Sequence, residues 1–395
     1  MSAGGVDCDV LIAGAGLVGL ALAHALANAG LAVTLADRAA VTAQDSPATD
    51  DDWDARVYAI SPGSATFLRG QGAWQALPPD RLAPVESMRI EGDAGALLNF
   101  SAYELGERAL AWIVEERALR AALVPLVRSA GIAIHAPCTF ESLSFSRDSA
   151  ALRLADGSRL AARVIVGADG ARSWVREAAG LAAVSKSYGQ TAVVANFECE
   201  RAHHGRAHQW FCGDGGILAW LPLPGRRVSI VWSAPERLAQ ELLLLSPDAL
   251  AVRAAAEGRH ALGAFACITP SAGFPLHRVR LPAAIGRRLA LVGDAAHGVH
   301  PLAGQGVNLG FGDAEALSTV LRERGALADP GAPMLLRRYA RRRAEPVLAM
   351  QTATDALARL FAVKTPWIRS ARNIGMAAVD RLPTAKRLLA QAALR

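Results

Sequence analysis

Cysteine is scarce in this chain of 395 residues, and its placement excludes two kinds of cross-linked protein. The five cysteines are an odd number, are widely spaced and include no Cys-x-x-Cys pair. Neither a disulfide framework nor a zinc site is therefore indicated. A reducing cytosol is the compartment that fits this cysteine usage best.

Long hydrophobic runs, a basic leader and low-complexity linkers are also missing. No stretch of 18 or more apolar residues occurs, and no cleavage site precedes the first apolar run. The sequence thus predicts a protein that is neither exported nor membrane-spanning. Apolar residues make up 52% of the chain, which is typical of a globular protein with one large domain or a few interwoven ones.

Charge is unevenly distributed along the chain. The net charge is +6, but residues 337–395 contain 13 Lys and Arg residues against Glu345, Asp355 and Asp380. This basic, alanine- and leucine-rich segment is suited to docking on anionic lipid or an acidic partner, and a solvated helical face is the alternative. It lacks the interleaved aromatic residues and the motifs that reading bases would need, so nucleic acid is not an expected partner.

What the sequence does contain is a dinucleotide-binding unit near its start. A short buried strand, residues 9–13, runs into a turn with the sequence GAGLVG, residues 14–19 (the glycine turn), and then into a helical pattern. Gly14 allows the tight turn, Gly16 lets the backbone approach a pyrophosphate, and Gly19 lets helix and strand pack closely. The helix N-terminus offers unpaired N–H groups to the phosphates.

An acidic residue follows the second strand of this unit. Residues 32–36 form an apolar strand that ends at Asp37, 18 residues after Gly19. A carboxylate at this place accepts both hydroxyls of a ribose, which favours a plain adenosine ribose over one with a 2′-phosphate. A simple NAD dehydrogenase would also use this unit, but it leaves two further motifs without a role.

These two motifs are strands that end in short turns. Residues 164–168 lead into Asp169 and Gly170 (the Asp-Gly turn) and a helix start. Residues 289–292 lead into Gly293 and Asp294 (the Gly-Asp turn) and a glycine-rich segment, after which a helix is expected to open at Asp313 and Glu315. An Asp after a parallel strand can bond a polyol, and a glycine-rich turn before a helix can hold a ring that becomes anionic on reduction. A flavin has both groups.

In these residues the chain resembles the aromatic flavoprotein monooxygenases, and most closely the branch of the ubiquinone-biosynthesis hydroxylases. The three turns occur in the family's order and spacing, and the stretches DARVYAISPGS (54–64) and HPLAGQGVNLGFGDAEAL (300–317) resemble that branch nearly residue for residue. Two departures are Val307, where the branch more often has Leu or Met, and Glu116, where an amide or Arg is expected near the flavin.

The resemblance implies an α/β fold in which a Rossmann-like FAD-binding domain is interwoven with a β-sheet substrate domain, followed by a helical C-terminal segment. The implied boundaries are 1–85, 105–180 and 276–336 for the FAD-binding domain, 86–104 and 181–275 for the substrate sheet, and 337–395 for the basic helical segment. Within the sheet, strands are expected over residues 191–199 and 218–231. Candidate lining aromatics, unless they belong to the core, are Trp210, Phe211, Trp220 and Trp232.

The resemblance further implies a set of cofactor-binding residues. They are Gly14, Ala15, Gly16, Leu17, Val18, Gly19, Asp37, Arg38, Arg56, Arg117, Asp169, Gly170, Gly293, Asp294, Pro301, Gly304, Gln305, Gly306, Val307 and Asn308. The glycine turn takes the pyrophosphate, Asp37 the adenosine ribose, Asp294 the ribitol, and backbone N–H groups of residues 304–308 the flavin ring. Arg56 approaches the flavin and pyrophosphate, with an exposed loop arginine as the alternative. Asp169 contacts the pyrophosphate indirectly and helps nicotinamide binding, or is a purely structural turn residue.

Three residues near the implied flavin ring are candidates for a part in the chemistry. Pro301 is implied to face the flavin near C4a and to shape the oxygen pocket as a positioning residue. Because histidine as a residue type titrates near neutrality, His297 and His300 are catalytic candidates, with fixing of the loop as the alternative.

The implied reaction consumes NADPH or NADH and molecular oxygen. Hydride passes to FAD, a C4a-hydroperoxide forms, and one oxygen atom is transferred to an electron-rich ring. The branch implies a polyprenylated phenol as substrate, and a cytoplasmic protein that the basic segment docks on the inner face of the cytoplasmic membrane or on a biosynthetic complex. A hydroxylase of small soluble aromatics, a prenyl-chain reductase and a flavin-binding scaffold without turnover are the alternatives.

Overall fold

Three β-sheets and a helical C-terminal segment organise the chain. The computed structural model describes residues 5–42, 52–300 and 304–394. The strands in these ranges are, in chain order, β1 (Cys8–Ala13), β2 (Val33–Ala36), β3 (Val57–Ile60), β4 (Ala83–Val85), β5 (Ser87–Glu91), β6 (Leu97–Ser101), β7 (Ala111–Glu115), β8 (Ala133–His135), β9 (Phe140–Phe145), β10 (Ala150–Leu154), β11 (Arg159–Gly167), β12 (Val184–Cys199), β13 (Arg206–Phe211), β14 (Ile217–Leu223), β15 (Arg227–Pro235), β16 (Phe265–Cys267), β17 (Ala272–Arg280), β18 (Ile285–Gly286) and β19 (Leu289–Leu291). The helices in the same ranges are α1 (Leu17–Asn28), α2 (Pro62–Gly70), α3 (Ala102–Leu105), α4 (Glu116–Ser129), α5 (Trp174–Ala178), α6 (Glu236–Leu244), α7 (Pro247–Glu257), α8 (Gly306–Arg322), α9 (Pro333–Ala362), α10 (Pro366–Arg381) and α11 (Pro383–Leu394).

The first sheet contains the predicted parallel strands, in the order β18-β19-β11-β1-β2-β8. All of these run parallel except β18, and the antiparallel strands β9 and β10 extend the sheet beside β11. Because β1 is covered on both faces, its residues form a nearly continuous apolar run. Ala13 pairs with Ala36 and Gly167, and Gly167 pairs with Leu291. The three turns that follow these strands therefore meet at one edge of the sheet, here called the carboxyl edge.

Helices cover one face of the first sheet. Side chains from α1, α4, α8 and α9 form a single core cluster with it, in which Leu22, Leu123, Phe311 and Leu336 are nearly inaccessible to solvent. Residues of β9, β10 and α5 pack against the other face, with Val175 fully buried there. The carboxyl edge is thus held between layers that are rigid on both sides.

The second sheet joins two separated parts of the chain. Its order is β16-β12-β15-β14-β13-β5-β6, and β17 also pairs with β12. Because β5 and β6 come from residues 87–101 while the other strands come from residues 184–280, the two domains are interwoven as the resemblance implies, and the predicted α/β fold is confirmed. β17 continues to Arg280, beyond the implied boundary at 275, and the domain boundaries themselves stay predictions. The third sheet, β3-β7-β4, packs against the second.

One predicted helix start is wrong. Helix α8 begins at Gly306, seven residues before the expected opening at Asp313. Glycines are weak helix formers, but here they permit close packing. A Cβ on Gly310 would lie 2.5 Å from Val18, and one on Gly312 would lie 2.9 Å from the guanidinium of Arg343. Packing against α1 and α9 therefore overrides the local preference.

The C-terminal segment is helical, as predicted, and packs on both large sheets. In α9, Tyr339 belongs to the first core, while Phe361 stacks on Phe211 of the second sheet with ring centroids 3.5 Å apart. From α10, Arg372 and Asn373 bond to Asp93 in the turn between β5 and β6. In the described ranges, no helix combines the length and the apolar character needed to cross a membrane.

Candidate functional site

The glycine turn forms one end of the carboxyl edge. Gly14 has a φ of +113°, and a Cβ on it would lie 2.3 Å from the carbonyl oxygen of Ala168. A Cβ on Gly19 would lie 2.0 Å from the carbonyl oxygen of Gly14, whereas nothing lies within 4 Å of one on Gly16. Helix α1 begins at Leu17, and no side chain of the described residues caps its N-terminus. The turn therefore has open space beside free helix N–H groups, the arrangement that binds phosphates.

Asp37 lies beside the glycine turn, at the end of β2. Its carboxylate accepts the N–H of Ala15 at 2.5 Å and that of Ala39 at 2.7 Å, while the adjacent Arg38 is exposed. Arg120 of α4 also reaches the turn, donating to the carbonyl oxygen of Ala15 at 3.0 Å. Sequence reasoning missed Arg120, because a basic residue one turn after Arg117 carries no motif and only the packing of α4 on α1 brings it to the turn.

The Asp-Gly turn is tied to its own helix and to the Gly-Asp turn. The carboxylate of Asp169 accepts the hydroxyl of Ser173 at 2.5 Å and the N–H of Val175 at 3.0 Å, and so caps α5. Arg176, which is buried, donates to the carbonyl oxygens of Ala171 at 2.9 Å and Ala295 at 3.0 Å. Such contacts are the ones expected if Asp169 is a structural turn residue. A role of Asp169 in nicotinamide binding stays a prediction.

The Gly-Asp turn presents a carboxylate to the cleft at the carboxyl edge. The side chain of Asp294 is exposed and accepts no hydrogen bond from the described residues, although protein surrounds it on most sides. Burial raises the pKa of Asp294, although the positive charges of His297 and Arg56 act in the opposite direction. A carboxylate with open acceptor sites deep in a cleft suits a ligand that brings hydroxyl donors, such as a polyol chain.

The N-terminus of α8 lies next along the chain. Both ends of the Asn308 side chain are engaged, since its oxygen accepts the N–H of Ser61 at 3.0 Å and its nitrogen donates to the carbonyl oxygen of Ala59 at 2.8 Å. Val307 packs partly buried against the first core, and a Cβ on Gly306 would meet nothing within 4 Å. No described side chain caps this helix. Its first backbone N–H groups are thus suited to a ring that carries negative charge.

The two histidines before α8 are both buried, but their pKa values are shifted in opposite directions. His297 lies 2.6 Å from the carboxylate of Asp313; burial disfavours the charged imidazole, but the contact with Asp313 outweighs burial and raises the pKa of His297. His300 contacts the side-chain oxygen of Gln190 at 2.8 Å and the ring of Tyr188, and burial lowers its pKa to about 4. Both contacts fix the loop, and catalysis by either histidine stays a prediction. Pro301 lies outside the described residues.

Arg56 lies near Asp294 and contacts helix α4, the third sheet and the second sheet. Its Nε lies 2.9 Å from the carboxylate of Glu116, and its guanidinium lies 5.5 Å from the ring of Tyr58 and 5.3 Å from that of Phe274. Glu116, the departure from the family pattern, therefore anchors Arg56. Arg117 donates to the carboxylate of Asp52 at 2.8 Å, and its predicted contact with the cofactor stays a prediction.

On the face of the second sheet that looks toward this edge, β12 carries two apolar side chains between two polar ones. Gln190 of β12 contacts His300, and Asn196 of the same strand donates to the carbonyl oxygen of Asp54 at 2.9 Å. Since alternate residues of a strand share a face, Ala192 and Val194 lie between these two contacts on the side of the cleft.

Most of the candidate lining aromatics lie on the opposite face. Trp210, Trp220 and Trp232 belong to the core between the second sheet and helices α6 and α7. The core alternative is therefore confirmed for these three, because the alternation along β13, β14 and β15 turns them away from the first sheet. Phe211 is the one of the four on the cleft side. A cavity of about 390 Å³ also opens on the far face, beside Trp210 and Arg259, and is separated from the carboxyl edge by the sheet.

These groups fit one ligand class. Along one edge the chain offers an uncapped helix behind an open glycine turn, the Asp37 carboxylate, the Asp294 carboxylate and a second uncapped helix N-terminus. In that order they match a pyrophosphate, a ribose, a polyol and a ring that becomes anionic, which are the parts of FAD.

Comparison with known proteins gives matches over nearly the whole chain. The family model described as FAD binding domain matches residues 7–354. The chain is 36% identical to ubiquinone hydroxylase UbiL of Rhodospirillum rubrum, covering 98% of this chain and 89% of that protein. It is 34% identical to the 3-demethoxyubiquinol 3-hydroxylase of Escherichia coli, with 96% of each covered. It is 31% identical to ubiquinone biosynthesis monooxygenase COQ6 of Danio rerio, with 96% and 88% covered.

Solved structures with the same fold have lower identity. PqsL of Pseudomonas aeruginosa, in complex with 2-aminobenzoylacetate, matches with a TM-score of 0.76 at 24% identity, over 93% of this chain and 99% of that one. HpxO of Klebsiella pneumoniae, complexed with FAD and uric acid, matches with a TM-score of 0.75 at 18% identity, over 97% of each chain. At these identities the likeness concerns the fold.

Proposed function

Because this chain belongs to the FAD binding domain family and is an FAD-dependent hydroxylase of ubiquinone biosynthesis, we propose that its substrate is a polyprenylated phenol, hydroxylated on the aromatic ring. The observation that carries the proposal is the arrangement at the carboxyl edge. There the carboxylate of Asp294 and the N-terminus of α8, which no described side chain caps, lie at the edge that the apolar residues Ala192 and Val194 of β12 face. An apolar wall beside a flavin site suits an aromatic substrate with an isoprenoid tail.

Bound FAD supplies the hard chemistry: it accepts a hydride from NADPH or NADH and activates molecular oxygen for insertion into the ring. The chain's own residues bind and orient. The N-terminus of α8 stabilises negative charge on the ring by about 1 kcal/mol. Arg56, anchored on Glu116, supplies a positive charge near Asp294. His300 is neutral at pH 7 and, through its contact with Gln190, holds the loop before α8 against the second sheet.

Exclusion of water is the second task of the protein. The stacked pair of Phe211 and Phe361 closes the second sheet against α9, and both side chains are nearly inaccessible to solvent. Gln351 of α9 donates to the carbonyl oxygen of Val279 in β17 and to that of Gly298 in the loop before α8. A dry site favours transfer of oxygen to the substrate over loss to water.

The isoprenoid tail explains why a membrane surface would be involved. Each isoprene unit gains about 4 kcal/mol when it leaves water, so a long-tailed phenol stays in the bilayer. Trp367, Ile374 and Leu388 on α10 and α11 are 71%, 70% and 69% exposed, and Lys364 and Arg387 are exposed close to them in sequence. We propose that this apolar and basic surface, here called the tail surface, docks on anionic lipid.

The test is turnover by the purified protein with bound FAD. NADPH oxidation and oxygen uptake are followed with a prenylated phenol and with the same phenol lacking its tail, and products are analysed by mass. A product heavier by one oxygen, formed with the prenylated phenol at a higher kcat/KM, is the expected result. Equal use of both phenols would favour a hydroxylase of small aromatics, and bound flavin without phenol-stimulated oxygen uptake would favour the reductase or the scaffold.

A further inference from the structure

A buried carboxylate connects the Gly-Asp turn to the C-terminal helix α9. Asp313 of α8 is 1% exposed and accepts three hydrogen bonds. They come from the backbone N–H of Gly293 at 2.8 Å, from Nε2 of His297 at 2.6 Å and from Nε of Arg343 at 2.6 Å. Arg343 also donates to the carbonyl oxygen of Leu309 at 3.0 Å. The Asp313 carboxylate thus bonds to a residue on each side of Asp294, Gly293 and His297, and is itself bonded to Arg343 of α9.

We propose that Arg343 is a positioning residue for FAD binding, which acts through Asp313 and His297 to aim the Gly-Asp turn, and with it Asp294, into the cleft. This deepens the proposed function and rests only on its FAD site, not on the identity of the phenol. Arg343 lies in the basic helical segment, residues 337–395, for which the sequence suggests docking on lipid. The proposal gives this arginine a role in FAD binding and not in lipid binding.

All three hydrogen-bond partners of Asp313 are needed to stabilise its buried negative charge. Burial by itself favours the neutral form of Asp313, but His297 and Arg343 hold its pKa below the ordinary range. Without Arg343, the Oδ1 atom of this buried carboxylate loses its charged hydrogen-bond donor, and the structure around it must change to reach water or another donor. The nearest movable element is the Gly-Asp turn, because Gly293 and His297 are bonded to the same carboxylate.

Helix α9 makes further contacts on both sides of the Gly-Asp turn. Tyr339, one turn before Arg343, donates to the carbonyl oxygen of Leu291 at 2.8 Å, and Gln351 donates to that of Gly298. The helix thus borders the Gly-Asp turn at its start and at its end. Gly312 leaves the room that the guanidinium needs, since a Cβ there would lie 2.9 Å from it.

The test is FAD affinity measured apart from stability. Apo-protein is titrated with FAD by flavin fluorescence, and its urea midpoint is measured separately. We expect Arg343→Gln to raise the Kd for FAD by about 10- to 100-fold, the factor for losing one hydrogen bond to a charged group. Arg343→Lys, which keeps the charge beside Asp313, should raise it less. The matched control is Arg342→Gln on the same helix, whose side chain pairs with Glu323 at 3.1 Å and should leave the Kd unchanged.

The two measurements separate positioning from mere support of the fold. A structural role would lower the urea midpoint and leave the Kd of the folded protein as in the control. A Kd for folded Arg343→Gln within about twofold of the Arg342→Gln value would therefore overturn the proposal. If the glutamine variant does not fold, the lysine variant decides in the same way, with a raised Kd in support and an unchanged Kd against. Because no phenol is present, failure of the substrate assignment leaves the result intact.

Discussion

Among single residues, the three glycines of the glycine turn differ in what they do. Gly14 and Gly19 are glycines because backbone atoms would lie within 2.3 Å of any Cβ. Gly16 meets no atom of the protein at that place, so the fold does not require its lack of a side chain, and we predict that the ligand does. Stability and cofactor binding can therefore be separated within one turn.

Replacing Gly16 should mainly lower FAD affinity, whereas replacing Gly14 should mainly lower the free energy of unfolding. Gly16→Ala should leave the free energy of unfolding of the apo-protein within about 0.5 kcal/mol of wild type, while FAD affinity falls, because the methyl group occupies the space for the pyrophosphate. Gly14→Ala should lower the free energy of unfolding by more than about 2 kcal/mol, because an alanine is strained at this positive φ and its methyl group clashes with Ala168. Urea denaturation and FAD titration check both, and a stable Gly14→Ala protein would contradict this account.

The pair of His297 and Asp313 predicts how stability depends on pH. His297 has a raised pKa, so its contribution is complete below pH 6.5 and is lost as pH rises through the folded pKa. Asp313 has a lowered pKa, so its contribution is complete above pH 3.8 and is lost as pH falls through the folded pKa. The pair should thus stabilise the protein most between these two values.

Asp313→Asn should remove this pH dependence of stability. It should also lower the free energy of unfolding by about 3 to 5 kcal/mol near pH 6, because Arg343 and His297 lose their buried counter-charge. Urea denaturation of the apo-protein from pH 5 to pH 9 is the measurement. Wild type should lose more stability than the variant above pH 6.5; parallel curves would show that the pair is not ionised in the folded protein.

For the secondary-structure elements, the C-terminal helices are held to the two sheets by specific side chains. Arg372 is 8% exposed, contacts the carboxylate of Asp93 and donates to the carbonyl oxygen of Val363 at 2.7 Å at the end of α9. Asn373 donates to Asp93 at 2.9 Å. Part of the basic charge of residues 337–395 is thus neutralised within the chain, and Lys386 pairs with Glu104 in the same way.

Asp93→Ala should release α10 from the turn between β5 and β6. The buried guanidinium of Arg372 would lose its partner, at a cost of about 3 to 5 kcal/mol, and amide hydrogens of α10 and α11 should exchange faster with solvent. Hydrogen exchange followed by mass spectrometry measures this. Glu241→Ala, which breaks the exposed pair with Arg237, is the control and should change stability by less than about 1 kcal/mol. Unchanged exchange in α10 would mean that Asp93 does not hold it.

The molecule as a whole combines a ligand site at one edge with an exposed apolar surface on its C-terminal helices. Monomeric proteins rarely leave large apolar side chains such as Trp367 and Ile374 together in water without a binding role. The tail surface lies on the helices that follow α9, and α9 borders the Gly-Asp turn, which we propose to bind the flavin. Docking and catalysis would therefore use neighbouring parts of one helical segment.

Membrane binding provides the test of the tail surface. The double variant Trp367→Ser and Ile374→Ser should bind vesicles of phosphatidylglycerol and phosphatidylethanolamine about tenfold or more weakly, since each side chain contributes apolar burial. Co-sedimentation measures the bound fraction, and added salt should weaken binding by wild type. Leu327→Ser, an exposed apolar residue in the loop after α8, is the control. Equal binding by all three proteins would contradict docking by this surface.

The sequence by itself determined the family, the fold class and the existence of the dinucleotide site, and the matches over nearly the whole chain confirm the family. The glycine turn, Asp37 and the Gly-Asp turn are local strand-to-turn signals, and the ends of parallel strands meet at one edge by the topology of the fold. Such features need no knowledge of distant contacts, and they can therefore be read from a single sequence.

Only the tertiary structure decided which side chains support those motifs. Arg120 and Arg343 carry no local signal, and their partners Ala15 and Asp313 are fixed by how helices pack. The early start of α8 and the orientation of Trp210 likewise follow from packing that overrides propensity or from strand register across the second sheet. These are long-range contacts whose energy depends on burial, and burial exists only after the chain has folded.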